Sequence, residues 1–167
     1  MYNGPERKLN RCRAFDYSLP GFYYLTICTK NRINWFGDVV DEKMILNVCG
    51  DVVNEFWKLI PRYYENVSLD KYIVMPNHMH GIIYIKNVGN GHCPIPTRNN
   101  YGLISKIINS FKNVCTKQIR YGLNCFDFNW QKSFYDRVLR DQSELEHARC
   151  YICNNPKAWF CDRNNEV

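Results

Sequence analysis

The chain has 167 residues, of which 46% are hydrophobic and 15% aromatic, a composition that supports one packed domain across 1–167 and argues against a disordered chain. Its formal charge of +6, from 22 Lys and Arg against 16 Asp and Glu, favours an anionic partner without singling out nucleic acid. No secretory leader pattern opens the sequence and no apolar run is long enough to span a bilayer, so a cytoplasmic protein with no membrane partner is expected.

The first 20 residues carry Arg7, Lys8, Arg11 and Arg13 among the aromatic residues Tyr2, Phe15 and Tyr17. Such a segment serves either as a solubilising tail or as an arm on phosphate and sugar. Residues 22–29 are aromatic and β-branched, which predicts a strand. A helix is expected over 51–60, with Val53, Phe56, Trp57 and Ile60 on one face and Pro61 ending it. Two neighbouring strands should follow at 67–75 and 80–85, separated by the turn signal Pro76-Asn77. The Gly-, Pro- and Asn-rich stretch 87–100 reads as a flexible loop. From 101 to 120, Ile104, Ile107, Ile108, Phe111 and Cys115 form an apolar stripe, with Lys106, Lys117 and Arg120 opposite and Lys112 at its flank. Residues 134–139 read as a last strand, with Arg137 and Arg140 near its exit. Ser143 followed by Glu146 has the spacing of a capping box, so a final helix is expected from there to about Asn155, ended by Pro156. Strand, helix, two strands, helix, strand is the order of a ferredoxin-like α+β sandwich with an antiparallel sheet, to which the last helix is an addition. No internal repeat is visible.

Two constellations carry chemistry. His78-Met79-His80 sits at the start of a strand-forming run, and side chains two apart on a strand share a face, so two imidazoles converge in a way that suits a metal ion. Taken alone, the pair reads equally well as ordinary strand residues. Tyr151 and Asn155 are one turn apart on the last helix, beside the apolar stripe of Leu145, Ala148 and Ile152. A tyrosine near an amide is also a common core arrangement. Of nine cysteines, an odd number, most are expected to be reduced thiols acting as small hydrophobes. Cys150-x-x-Cys153 lacks the second closely spaced pair of a structural zinc site.

Taken together, these blocks resemble the HUH single-tyrosine transposases, and among them the REP-associated tyrosine transposases. The resemblance runs from 21–29 (GFYYLTICT) through Met75-Pro76-Asn77-His78-Met79-His80, Ser110-Phe111-Lys112, Trp130-Gln131 and Phe134-Tyr135-Asp136-Arg137 to Tyr151-Ile152-Cys153-Asn154-Asn155-Pro156. It implies that His78 and His80 are metal ligands, that Asn155 is the third, that Met79 is the hydrophobic residue between the histidines, and that Tyr151 is the nucleophile. The implied cofactor is Mg²⁺ or Mn²⁺, because two imidazoles and an amide oxygen form a neutral set that leaves positions for phosphate and water. The implied substrate is single-stranded DNA with hairpins, cut through a covalent 5′-phosphotyrosine that conserves the bond for rejoining. Lys112, Arg137, Arg140 and the arm residues Arg7, Lys8, Arg11 and Arg13 are the DNA-contact candidates. Oligomeric state stays open between a homodimer and a monomer. The rival readings are a DNA-binding module without catalysis and a zinc-dependent hydrolase; a deaminase would need Glu where His80 stands.

Overall fold

A computed structural model of the protein describes residues 20–86, 102–161 and 165. The basic segment with Arg7, Lys8, Arg11 and Arg13 and the loop 87–100 lie outside those residues. Alternation along Gly21–Cys28 (β1) sends Tyr23, Leu25 and Ile27 to one side, all fully buried, and Tyr24 and Thr26 to the other. β1 lies centrally, pairing antiparallel with His78–Ile85 (β5) on one edge and with Tyr135–Leu139 (β6) on the other. Val67–Met75 (β4) pairs antiparallel with β5, giving the order β4-β5-β1-β6. That order is the ferredoxin-like arrangement expected from the element sequence.

One face of the sheet is closed by the crossover helices Val48–Lys58 (α1) and Leu103–Lys117 (α3). Their buried residues Val53, Trp57, Ile104, Ile107, Ile108 and Phe111 join Tyr23, Leu25, Ile27, Met79 and Ile83 in one core. Gly81 is required here, because a Cβ at that position would come within 2.4 Å of the Trp57 ring. The opposite face is covered by Gln142–Ala158 (α4), whose Leu145 and Ile152 are buried with Ile82 and Leu139 in a smaller cluster flanked by Phe22, Tyr24 and Ala148. The added helix therefore makes a third layer on the side of the sheet that carries His78 and His80.

Several boundaries differ from those expected. A two-stranded hairpin, Gly37–Val40 (β2) with Lys43–Leu46 (β3), is inserted after β1; its two-residue loop Asp41-Glu42 has both φ angles positive, 48° and 59°. This turn lacks the Gly that usually marks its type. α1 starts at Val48 rather than 51, because the Asn47 side chain caps the free N–H groups of Cys49 and Gly50 at 3.0 Å each. Pro61 opens a further short helix, Ile60–Tyr63 (α2), where its missing N–H costs nothing. In α4 the cap is Asp141, which accepts from the Glu144 N–H at 2.8 Å, and Glu146 instead accepts from Gln142 and Arg149. Pro156 does not stop the helix but lies within its last turn, which reaches Ala158. Among the described residues no helix is long and apolar enough to cross a membrane.

Candidate functional site

His78 and His80 project from the first turn of the pleat of β5 toward α4, and their Nε2 atoms stand 3.0 Å apart. Both rings are buried, His78 completely. Their outer nitrogens are held by the neighbouring elements: His80 Nδ1 lies 2.8 Å from the Tyr24 hydroxyl and 2.9 Å from the Thr26 hydroxyl, and His78 Nδ1 lies 2.9 Å from Asn77 Oδ1. The register explains the Thr26 contact, since Thr26 is paired directly opposite His80. The Pro76-Asn77 turn is itself pinned, because Thr29 donates its N–H and its hydroxyl to the Asn77 carbonyl while the N–H groups of Trp35 and Phe36 donate to the Pro76 carbonyl. Burial pushes His78 down to about 3, the nearby Arg32 charge pushes the same way, and the Asn155 amide opposes them. His78 is thus neutral at ordinary pH, with a lone pair to offer.

α4 brings Tyr151 and Asn155 to the same place. Asn155 is buried, whereas Tyr151 is 44% exposed and meets His80 edge-on at a ring separation of 5.2 Å. Tyr24 lies beside both, stacked on His80 and edge-on to Tyr151. Beyond the helix, Trp159 stacks on His78 with ring centroids 5.9 Å apart. Besides its apolar stripe, the helix is fastened by Arg149, whose Nε and Nη2 donate to the two Asp70 carboxylate oxygens at 2.9 and 2.6 Å. Asp70 sits in β4 where the pairing register shifts between Leu69 and Tyr72.

That clamp has a pH signature. The Arg149 hydrogen bonds hold the Asp70 carboxyl below the usual carboxylate range, with burial partly opposing. A lowered native pKa stabilises the fold fully above the ordinary, unfolded value, and the contribution disappears as pH falls through the native one. Asp70→Asn is therefore expected to lower stability at neutral pH by a margin that shrinks in acid. Urea unfolding of both proteins across that range checks it, and a margin independent of pH would contradict it.

Between α4 and the edge strand β6 runs a cleft of about 600 Å³, bounded by Tyr24, Tyr135, Arg137, His147, Tyr151 and Asn155 among others. Arg137 stands at this cleft, where it pairs with Glu144 at 2.6 Å, and the exposed Arg140 gives its backbone N–H to the same carboxylate. Lys112 is placed differently from a surface DNA contact. It is buried, and its Nζ donates to the carbonyls of Gln131 and Ser133 at 2.8 and 3.2 Å, over the Phe134 ring. Burial lowers its pKa to about 8. Its position supports the segment that leads into β6, a role that helical spacing alone could not distinguish from a flanking surface lysine.

The donor set can be tested against a divalent cation. Two neighbouring ligands of an octahedral ion at about 2.1 Å stand roughly 3.0 Å from each other, which is the separation of the two histidine Nε2 atoms. The two histidines therefore fit one small ion, and the buried Asn155, whose amide reaches His78, would supply an oxygen beside them. Cys150 and Cys153 are exposed on α4, and among the described residues no three His, Cys, Asp or Glu side chains gather as a closed site. Reading of the sequence missed Tyr24, Thr26, Asn77 and His147. Period-two alternation along β1 and the one-turn spacing of His147 and Tyr151 were the available signals.

No family model matches the chain. Over 167 residues, 95% of this chain and 92% of its counterpart, it is 33% identical to an uncharacterized protein of Haemophilus influenzae strain Rd. Among solved structures, a REP-associated tyrosine transposase bound to a REP hairpin aligns over 89% of this chain and 74% of that one, with a TM-score of 0.56 and 17% sequence identity. The second likeness is one of fold.

Proposed function

The chain belongs to one family with the Haemophilus influenzae protein and has the fold of a REP-associated tyrosine transposase, and on that footing we propose that it cuts and rejoins single-stranded, hairpin-containing DNA. The observation that carries this reading is the meeting of Tyr151 with His78, His80 and Asn155, drawn from two elements that only the fold brings together. A phosphodiester resists attack because its negative oxygens repel nucleophiles. Mg²⁺ or Mn²⁺ held by His78, His80 and Asn155 would polarise the scissile phosphate and offset its charge. Tyr151 is exposed enough to reach a phosphate laid in the cleft. Its oxygen forms a new bond to phosphorus while the bond to the 3′-oxygen breaks and the 5′-ester stays, so a tyrosine–5′-phosphate diester replaces the DNA diester and the phenol's lost hydrogen is balanced by the 3′-hydroxyl formed. Rejoining reverses those bonds on another 3′-end. Tyr151 lies beside His80 of its own chain, which supports a site built within one protomer.

Strand form tests the proposal. A hairpin with an unpaired flank should be cut and the same sequence as full duplex should not, since the phosphate must leave the helix to reach both Tyr151 and the histidines. Rising salt should weaken binding to both. A DNA-binding module without catalysis would show the salt dependence and no cleavage. Equal cleavage of hairpin and duplex would overturn the single-strand assignment.

A further inference from the structure

The amide of Asn77 has one orientation that satisfies its surroundings. Asn77 is fully buried, and its Nδ2 donates to the Arg32 carbonyl at 3.0 Å; the reversed amide would set two oxygens against each other there. Its Oδ1 consequently faces His78 Nδ1 at 2.9 Å, and an amide oxygen can only accept. The hydrogen of His78 must then be on Nδ1. Its Nε2, 3.0 Å from His80 Nε2, then presents a lone pair; the Asn155 amide also reaches His78 and favours an added proton on it, so the Nδ1–H assignment rests on Asn77.

We propose that Asn77 is a positioning residue that holds His78 as its Nδ1–H tautomer, with the Nε2 lone pair turned permanently into the site. The use of that lone pair for metal binding rests on the function proposed above, whereas the tautomer rests on the hydrogen bonds alone. His80 is built differently. Its Nδ1 meets two hydroxyls, Tyr24 and Thr26, and each can donate or accept. His80 can therefore give an Nε2–H to His78 in the metal-free protein and offer its own lone pair when an ion is present, the hydroxyl hydrogens turning to suit. One histidine is fixed and its neighbour adapts, which avoids the repulsion of two facing lone pairs before metal arrives. The pinning of the Asn77 backbone by Thr29 keeps the amide from drifting out of reach.

The test begins with the unaltered, metal-free, full-length protein, so it does not depend on any variant folding. Two-bond proton–nitrogen correlation spectra of the imidazoles at neutral pH should show His78 as the Nδ1–H form, and an Nε2–H form would overturn the proposal. Calorimetric titration with Mn²⁺ alone then compares wild type, Asn77→Asp and Asn77→Leu. Asn77→Leu should weaken Mn²⁺ binding by about 10- to 100-fold, while Asn77→Asp, which keeps an oxygen acceptor for His78 but sets its second oxygen against the Arg32 carbonyl, should fall between Asn77→Leu and wild type. Equal affinity in all three would overturn the positioning role. An Nδ1–H tautomer in a wild-type protein that takes up no Mn²⁺ would support the Asn77 assignment and count instead against the metal-dependent function.

Discussion

Tyr151→Phe is expected to abolish covalent attachment to DNA while leaving hairpin binding near wild type. The substitution removes one hydroxyl from a ring that is 44% exposed and lies edge-on to His80 and Tyr24, so α4 should stay seated through Leu145, Ile152 and the Arg149–Asp70 pair. Labelled hairpin DNA, denaturing electrophoresis for the adduct and a separate binding assay give the two readouts. Undiminished adduct would move the nucleophile elsewhere, and Tyr135, which lines the same cleft and is 42% exposed, would be the next candidate.

His78→Ala and His80→Ala are each expected to reduce cleavage at ordinary Mg²⁺ concentrations by on the order of 10²–10³-fold or more, the scale for losing a group that stabilises transition-state charge. Each removes one of two imidazoles whose Nε2 atoms face one another at 3.0 Å, and among the described residues no three His, Cys, Asp or Glu side chains gather into another site. Asn155→Ala should cost less, because an amide compensates charge less well than an imidazole binds a metal of this kind. Since both rings are buried and hydrogen-bonded, far-ultraviolet circular dichroism must accompany the rates. Folded histidine variants with an unchanged dependence on divalent cation would refute the ligand assignment.

The fold was legible where one period dominated. β1, β4, β5 and α3 were placed to within a few residues because their buried side chains recur at two or at three to four residues, as the core shows. The hairpin 37–46 was not, because Asp41-Glu42 adopts a turn that sequence normally announces with Asn-Gly or Asp-Gly. Helix starts were displaced by caps of equal chemical plausibility: Asn47 and Asp141 hold the free N–H groups, and only the path of the chain decides between them and later candidates. At the site, the convergence of His78 with His80 and of Tyr151 with Asn155 followed from local spacing. That the two pairs meet does not, since it depends on α4 crossing the sheet face opposite α1 and α3. Tyr24, Thr26 and Asn77 were hidden for the same reason, their roles arising from strand register and from an amide held by a distant carbonyl. Lys112 shows the converse, a lysine whose helical position suggested solvent and whose ammonium is covered by 131–134.

The most direct measurement is intact-mass and peptide-mass analysis of the protein after incubation with Mg²⁺ and a single-stranded hairpin that has unpaired flanks. The proposed function requires a protein–DNA adduct whose phosphate maps to Tyr151, formed together with a free 3′-hydroxyl on the released strand. Cleavage that leaves no adduct, or an adduct mapped to a residue outside the cleft between α4 and β6, would contradict it.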